Sequence, residues 1–265
     1  MVRKRWDRSV RDVMRIVKVV KKVAIRRGLD KRIRRGRRGR LSKHPAYVYI
    51  QAMVLKELCG GSLMEGEVLS CMLLNKRIPK STLAYWEKHY RYLLQIVLDS
   101  LCTMLDHLCP NYQYTFLDST EFTNWHKQSV ELFACVRITD SLVPVKFKIT
   151  RSEENFVREI PKGKGYVLAD GAYDNWHTLN NLVKKNYLPM VKMTKRNPRG
   201  FGARIRNKIF SKDIYRKRSI GEGIFAALSN QFGDRLKTKL IETTASRVLS
   251  RCIIYSSKIY LRLSL

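Results

Sequence analysis

Three carboxylates stand where their neighbours give them a use. Asp118 closes the apolar run YTFL and is followed by Ser119 and Thr120. Asp170 closes the apolar run VLA and is followed by Gly171, which allows a tight turn. Glu222 lies in RKRSIGEGIFAALSNQF, where Ile224, Phe225 and Leu228 repeat at helical spacing on one face. Convergent carboxylates suit hard divalent cations, a class that includes Mg²⁺ and Mn²⁺. Phosphodiester chemistry uses two such ions about 4 Å apart, one to activate the attacking oxygen and one to stabilise the leaving oxygen. Taken singly, each acid also has an ordinary role, since aspartates end strands and cap helices and a glutamate before an apolar helix can be plain surface. The combination of the three with topology and charge is what points to chemistry.

Positioning them requires a sheet with two aspartates at one edge. From about residue 44 to 110 the pattern is helical throughout, in AYVYIQAMVLKEL, EGEVLSCMLLN and STLAYWEKHYRYLLQIVLDSLCTMLDHL, punctuated by Gly60-Gly61 and NKRIPK. A short helix, a turn containing Pro79 and a longer helix opened by a Ser81 cap make a helix-turn-helix outline, flanked by Lys76, Arg77, Lys80 and Lys88. The same outline occurs in helical bundles that read no DNA. At Pro110 the period becomes alternating, which marks a domain boundary. YQYTFLDST, ELFACVRIT and LVPVKFKIT read as a meander of three strands; in the third, Val143, Val145, Phe147 and Ile149 share a face opposite Lys146 and Lys148. A helix near SEENFVREI, the strand GYVLAD, a helix from Asn175 to Asn186 and the strand LPMVKM follow, and strand-helix-strand of this length implies parallel pairing. Strand-end aspartates on such a sheet meet at the edge where ligands gather. The expected fold class is α/β, a ribonuclease-H-like mixed sheet preceded by an all-helical basic region.

The charge balance names the class of partner. Among 265 residues, 53 Lys and Arg stand against 22 Asp and Glu, a net charge of +31, far beyond what solubility requires. A polyanion is implied, and short apolar segments without a lipid anchor motif favour nucleic acid over a membrane surface. Residues 1–43 alone carry a net +16. Within them Val10, Val13, Met14, Val17, Val20 and Ala24 recur at helical spacing, so this arm contains an amphipathic helix that either packs on the core or lends its basic face to phosphates. Lys31 to Arg40 follows, where Arg34, Arg35, Arg37 and Arg38 are candidate DNA contacts and Gly36 and Gly39 let the backbone follow a groove. A second basic segment, residues 192–218, holds 11 Lys and Arg against Asp213 alone, with Phe201, Phe210 and Tyr215 interspersed. It reads as a DNA-facing insertion whose aromatic rings could stack on unpaired bases. Gly200-Phe201-Gly202 is too short for a phosphate loop, and His126 and His177 read as helix-surface or packing residues.

At LDST (117 to 120), LADGAYDN (168 to 175) and YRKRSIGEGIFAALSNQFGDR (215 to 235) the chain resembles the DDE transposases of bacterial and archaeal insertion sequences, over roughly residues 112 to 240. The family's third block runs Tyr, two residues, Arg, three residues, Glu, six residues, Lys. Tyr215, Arg218 and Glu222 match that spacing, while Ser229 stands at the last position in place of lysine, whose role is absent or has moved to a residue such as Lys237. The resemblance implies a ribonuclease-H-like domain in which Asp118, Asp170 and Glu222 bind Mg²⁺, for nicking at an element's terminal phosphate and then attack of the freed 3′-hydroxyl on target DNA. Tyr215 and Arg218, beside Arg216 and Lys217, would hold the terminal phosphates, for which arginine offers a planar fork. It further implies double-stranded DNA partners, a homodimer on paired ends and a cytoplasmic, nucleoid-associated setting in a prokaryote. Asp174 is expected to cap the helix starting near Asn175 rather than bind metal. The expected organisation is a basic DNA-binding arm (1–43), a helical DNA-binding region (44–110) and a catalytic domain (111–265). Two readings compete with it: a transposase-derived DNA-binding protein without activity, and a structural RNA-binding protein, for which carboxylates more than about 10 Å apart would speak.

The six cysteines include no CxxC and no zinc spacing and read as reduced core thiols of a cytosolic protein. Cys102 and Cys109 fall on one side of a helix without a metal pattern. The first apolar stretch is broken by Arg15, Lys18, Lys21 and Lys22, so no secretory signal is expected; Asp7 and Asp12 argue against a transit peptide. VLSRCIIYSSKIYLRL is interrupted by Arg251 and Lys258, so no span of a bilayer is expected.

Overall fold

A computed structural model describes residues 10–33, 43–195, 198–233 and 235–264. Arg34, Arg35, Arg37 and Arg38, with Arg196, lie outside the described residues. In chain order the elements are α1 (Val10–Arg26), α2 (Leu29–Ile33), α3 (Ala46–Leu58), α4 (Leu63–Leu74), α5 (Lys80–His89), α6 (Arg91–Leu108), β1 (Tyr114–Thr123), β2 (Ser129–Ile138), β3 (Leu142–Ile149), α7 (Glu153–Glu159), β4 (Tyr166–Ala169), a 3-10 turn (Gly171–Tyr173), α8 (Trp176–Lys184), β5 (Leu188–Val191), α9 (Phe201–Ile209), α10 (Lys212–Arg216), α11 (Arg218–Phe232) and α12 (Ile241–Leu263). They form two compact units, one of Met1–Leu101, Thr123–Ser129 and Arg235–Leu265, the other of Cys102–Phe122 and Val130–Asp234. The chain does not divide at 43 and 110. No helix among the described residues is long and apolar enough to cross a membrane.

The first unit is helical. The run AYVYIQAMVLKEL is apolar nearly all round, so its helix α3 must be buried on every side, and all but one of its residues are. Helix α1 lays Val13, Ile16, Val17, Val20, Val23 and Ala24 inward and accepts a bond from Gln51 Nε2 at the carbonyl of Val17. Val10, expected on that face, is exposed. Residues Arg235–Leu265, expected with the sheet, belong to the helical unit. Leu236 donates to the Thr123 carbonyl and Trp125 to that of Thr238, while α12 packs on α1, α3 and α5 through Ala245, Val248, Leu249 and Cys252. The apolar face of this last helix is covered chiefly by α3.

Two helices and a turn are present as α4 and α5, but the second is not the longer one: the run expected to continue as a single helix breaks at Tyr90, leaving α5 with 10 residues against 12 in α4 and α6 as a separate helix. A capping box between Ser62 and Glu65 opens α4. Helix α5 starts at Lys80 behind Pro79, not at Ser81. Glu67 on α4 accepts both the Lys80 N–H, at 3.0 Å, and Arg77 Nε, at 2.9 Å, and so fastens the turn. Lys76, Arg77, Lys80 and Lys88 are exposed around it. Of the cysteines, four are buried, Cys59 is half-buried and Cys71 is exposed, so the core reading fails for Cys71.

A charge cluster is buried in this unit. Lys56 Nζ lies 3.1 Å from Glu57 and 2.5 Å from Glu87, and Glu57 also takes Arg247 and Arg251. Burial pushes the Glu57 carboxyl up, but the three cations outweigh it and hold the group at about 2 against an ordinary 4.5. Glu57→Gln, which keeps the shape and removes the charge, should cost about 3 kcal/mol in urea unfolding at neutral pH because it strands buried cations. A lowered folded value means that the carboxylate's contribution is complete above about 4.5 and lost as pH falls toward about 2. The gap between wild type and variant should therefore close across that window. A gap that stays constant would assign the effect to packing alone.

The second unit is α/β. Its five-stranded mixed sheet has the order β3-β2-β1-β4-β5. β2 and β3 pair antiparallel with a bulge at Cys135/Val136, whereas β1 with β4 and β4 with β5 are parallel. The meander and the strand-helix-strand crossover read from the periodicity are both here. Val143, Val145 and Phe147 are buried in β3 while Lys146 and Lys148 reach Glu159. One sheet face carries a core of Leu117, Phe133, Val145, Phe156, Leu179, Tyr187 and Val191. Side chains alternate along a strand, so Phe116 and Asp118 lie on the face opposite Leu117. Phe116 there meets the α11 residue Phe225, with ring centroids 6.3 Å apart.

Candidate functional site

Register brings the two aspartates together. The last paired residues of the parallel strands β1 and β4 are Leu117 and Ala169, so Asp118 and Asp170 come next, side by side on strands about 4.8 Å apart. Asp118 is not the strand's end as expected, since β1 continues to Thr123; it stands where β4 stops. Ser119 N–H donates to Asp118 Oδ1 at 2.9 Å, and Ser119 Oγ donates to Glu131 at 2.7 Å. Asp170 Oδ1 accepts the Ala172 N–H at 3.0 Å and caps the 3-10 turn. Gly171 is needed there less for a turn than for room, because a Cβ would sit 2.8 Å from the Thr194 methyl.

Glu222 is delivered by α11. The helix can approach β1 because Gly221 has no side chain: a Cβ there would fall 2.1 Å from Phe116 Cγ. Arg218, one turn earlier, bridges the two elements. Its Nη2 donates to Asp118 at 2.6 Å and its Nη1 to Glu222 at 2.6 Å. Two carboxylates on one guanidinium lie inside the roughly 10 Å within which acids can share metals. Burial pushes the Asp118 carboxyl above the ordinary aspartate range, Arg218 and the Ser119 N–H pull against that, and the charges of Asp170 and Glu222 add to it. The same three acids, with burial first, raise the Tyr215 hydroxyl. Asp118, Asp170, Tyr215, Arg218 and Glu222 thus occupy one neighbourhood, where β4 ends beside β1. Among the described residues no group of three or more His, Cys, Asp or Glu is gathered as metal ligands. Arg218 holds the place between two of the acids.

Comparison with known proteins finds no matching family model, no matching curated protein and no matching solved structure. What the site can do is therefore argued from its own groups.

The remaining expected contacts divide. Lys217 Nζ is 2.9 Å from the Tyr114 hydroxyl and lies over that ring, and Arg216 is exposed beside Asp213 at 3.3 Å. Tyr215 is half-buried against Phe210, while Phe201 is exposed. Lys192, Lys195, Arg199, Arg204, Lys208 and Lys212 are exposed. Arg206 is the exception in this basic segment: it is buried, with Nη1 2.9 Å from Asp174 Oδ1. Asp174 is buried too and does not cap α8. Asn175 does, through Thr178 N–H at 2.8 Å. Asp174 instead takes the N–H and hydroxyl of Thr194 at 2.7 and 2.9 Å, tying the loop after β5 to the loop after β4. His177 lies against Trp176 with the rings tilted by 32°, and His126 sits in an exposed turn between β1 and β2 rather than on a helix. Ser229 follows Glu222 by two turns on the same face of α11. Lys237 is exposed and belongs to the helical unit.

Three features escaped the sequence reading. Gly221 had a signal, a glycine on each side of the acid at 222, which marks a helix that must come close to something. Thr194 and the pairing of Asp174 with Arg206 had none, because nothing in a basic run says which arginine meets a buried acid.

Proposed function

We propose that this chain is a Mg²⁺-dependent DNA nicking and strand-transfer enzyme of the insertion-sequence transposase type, with Asp118, Asp170 and Glu222 as its metal-binding acids. The observation that carries this is the meeting of Asp118 and Glu222, far apart in sequence, on the guanidinium of Arg218, with Asp170 at the adjoining strand end. A three-strand meander followed by parallel β4 and β5 is the order of a ribonuclease-H-like sheet, which supports the same reading. So do the exposed Lys192, Lys195, Arg199, Arg204, Lys208, Lys212, Arg216 and Lys217 in the same unit. Lys217 at the N-cap and Arg218 at the first position open α11, just after Arg216 ends α10, with no acid in the first turn. That is unfavourable beside the positive end of a helix dipole and favourable for a phosphate placed there.

The donor set fits a hard cation: three carboxylates, no thiolate and no imidazole. Asp118 and Asp170 would hold it from the sheet and Glu222 from the helix. Divalent ions so held supply Lewis acidity to the attacking and leaving oxygens of a phosphodiester. The chain's own part is to place the phosphate. Tyr215 and Arg218 are positioned to orient it, and the exposed Lys and Arg of the basic segment to hold the duplex, which should be the ends of a mobile element and a target, with a dimer of the chain pairing the ends.

The test is cleavage of duplexes made from the DNA flanking the gene, with Mg²⁺ or Mn²⁺, by wild type and by Asp118→Ala, Asp170→Ala and Glu222→Ala. Each substitution should reduce nicking by roughly 10³-fold or more, the scale of a lost essential group, with duplex affinity kept. If wild type binds the duplexes and never nicks them with either metal, the inactive DNA-binding reading replaces this one. Ser229→Lys is then the variant to make, since it restores the cation of the third block.

A further inference from the structure

Arg218 is placed as though it were itself the cation of the site. Its two terminal nitrogens each take a carboxylate oxygen at 2.6 Å, one from the strand and one from the helix, with the Asp118 and Arg218 side chains only 16% and 20% exposed. An ion of Mg²⁺ size needs oxygens at about 2.1 Å. It cannot share that gap with a guanidinium. The inward pose is also incomplete, because Arg218 Nε is buried without a hydrogen-bond partner. Neighbouring cations do not compete for the acids: Arg216 is beside Asp213 and Lys217 on Tyr114. The arginine is the first residue of α11, separated from the end of α10 by Lys217 alone, so its side chain starts at a junction between helices and not within a packed helix face.

Resting on the DNA-cleaving reading above, we infer that Arg218 is a built-in countercation that must leave Asp118 and Glu222 before a divalent ion can enter, and that a DNA phosphate is the anion that draws it out. A phosphate offers the planar fork two parallel bonds. Metal loading and DNA binding are then coupled through one side chain, and the enzyme without DNA keeps its metal site closed. Linkage makes the coupling reciprocal: DNA tightens metal binding by the same factor as the metal tightens DNA binding.

The experiment measures Mn²⁺ binding to the full chain without DNA, from the loss of the free-ion paramagnetic resonance signal. Arg218→Gln should bind Mn²⁺ about 10-fold more tightly than wild type, the usual scale of such coupling, with Arg218→Lys in between. Adding Asp118→Asn to Arg218→Gln should abolish the gain. Binding of a fluorescent duplex in Ca²⁺ at constant ionic strength supplies the second reading: Ca²⁺ should tighten wild type more than Arg218→Gln. Circular dichroism checks folding, and Arg218→Lys carries the comparison if Arg218→Gln does not fold. Equal Mn²⁺ affinity in wild type and variant, or weaker binding by the variant, overturns the inference. If wild type nonetheless cleaves DNA, the proposed function stands without it; if no form binds Mn²⁺ and none cleaves, both fall.

Discussion

Gly221→Ala should cost the sheet unit about 3 kcal/mol and, on the function proposed above, lower DNA nicking by roughly 100-fold, although the substitution adds only one uncharged methyl group beside Glu222. The new Cβ would lie 2.1 Å from Phe116 Cγ and 2.5 Å from Phe116 Cβ. Those atoms are the root of a fully buried ring, not the free end of a flexible chain, so the ring cannot simply turn aside. Either α11 lifts from β1 or Phe116 is driven into its neighbours. Lifting α11 carries Arg218 and Glu222 away from Asp118, and a displacement near 1 Å at reacting groups is enough for the rate loss stated. Urea unfolding and a nicking assay read the two effects separately. Phe116→Leu placed on top of Gly221→Ala should recover part of both, giving a coupling energy of about 1 kcal/mol or more. Wild-type stability and wild-type nicking in Gly221→Ala would mean that the close approach of helix and strand does not govern the site.

A comparable loss is expected from Arg206→Ala, and for a reason unrelated to DNA. Asp174 and Arg206 are both buried, and removing one partner leaves a charge without compensation, at a cost of about 3–5 kcal/mol. The pair sits 2.9 Å apart without hydrogen-bond alignment, and Arg206 Nε and Nη1 have no hydrogen-bond partner. Replacing both residues, by Asp174→Asn with Arg206→Met, should therefore be far milder than the single change. Arg204, two residues earlier on α9 and exposed, is the control. Arg204→Ala should leave stability within about 0.5 kcal/mol, weaken duplex binding and reduce the slope of log affinity against log salt by about 0.9 if it contacts one phosphate. The opposite pattern, with Arg206→Ala stable and weak in DNA binding, would return Arg206 to the DNA-facing surface that its neighbours suggest.

These two sites show where reading the chain stops. The change of period at Pro110 located the start of the sheet, and the runs YTFL and VLA put Asp118 and Asp170 at matching places on strands, because alternation and apolar length are local properties that a strand must satisfy wherever it sits. Helical spacing after residue 222 located α11 for the same reason. Position within a strand was less legible: Asp118 lies in mid-strand, since β1 outlasts β4 and strand length is set by partners as well as by sequence. Nor did periodicity show that residues 235–265 leave the sheet for the helical unit, because an amphipathic helix declares that it needs a partner and not which one.

By itself, then, the amino-acid order determined the strands, most of the helices and the α/β class, and singled out three acids as candidates for one site; the helices α9 and α10 within the basic segment were not read from it. Only the tertiary structure decided that Arg218 lies between two of those acids, that Gly221 must be empty for the helix to arrive, and that one arginine of a basic run is a core residue held by Asp174. The physical reason is common to all three. Each depends on distances between residues far apart in the chain, such as Asp118 and Arg218, and those distances follow from packing and desolvation summed over the whole unit rather than from any spacing along it.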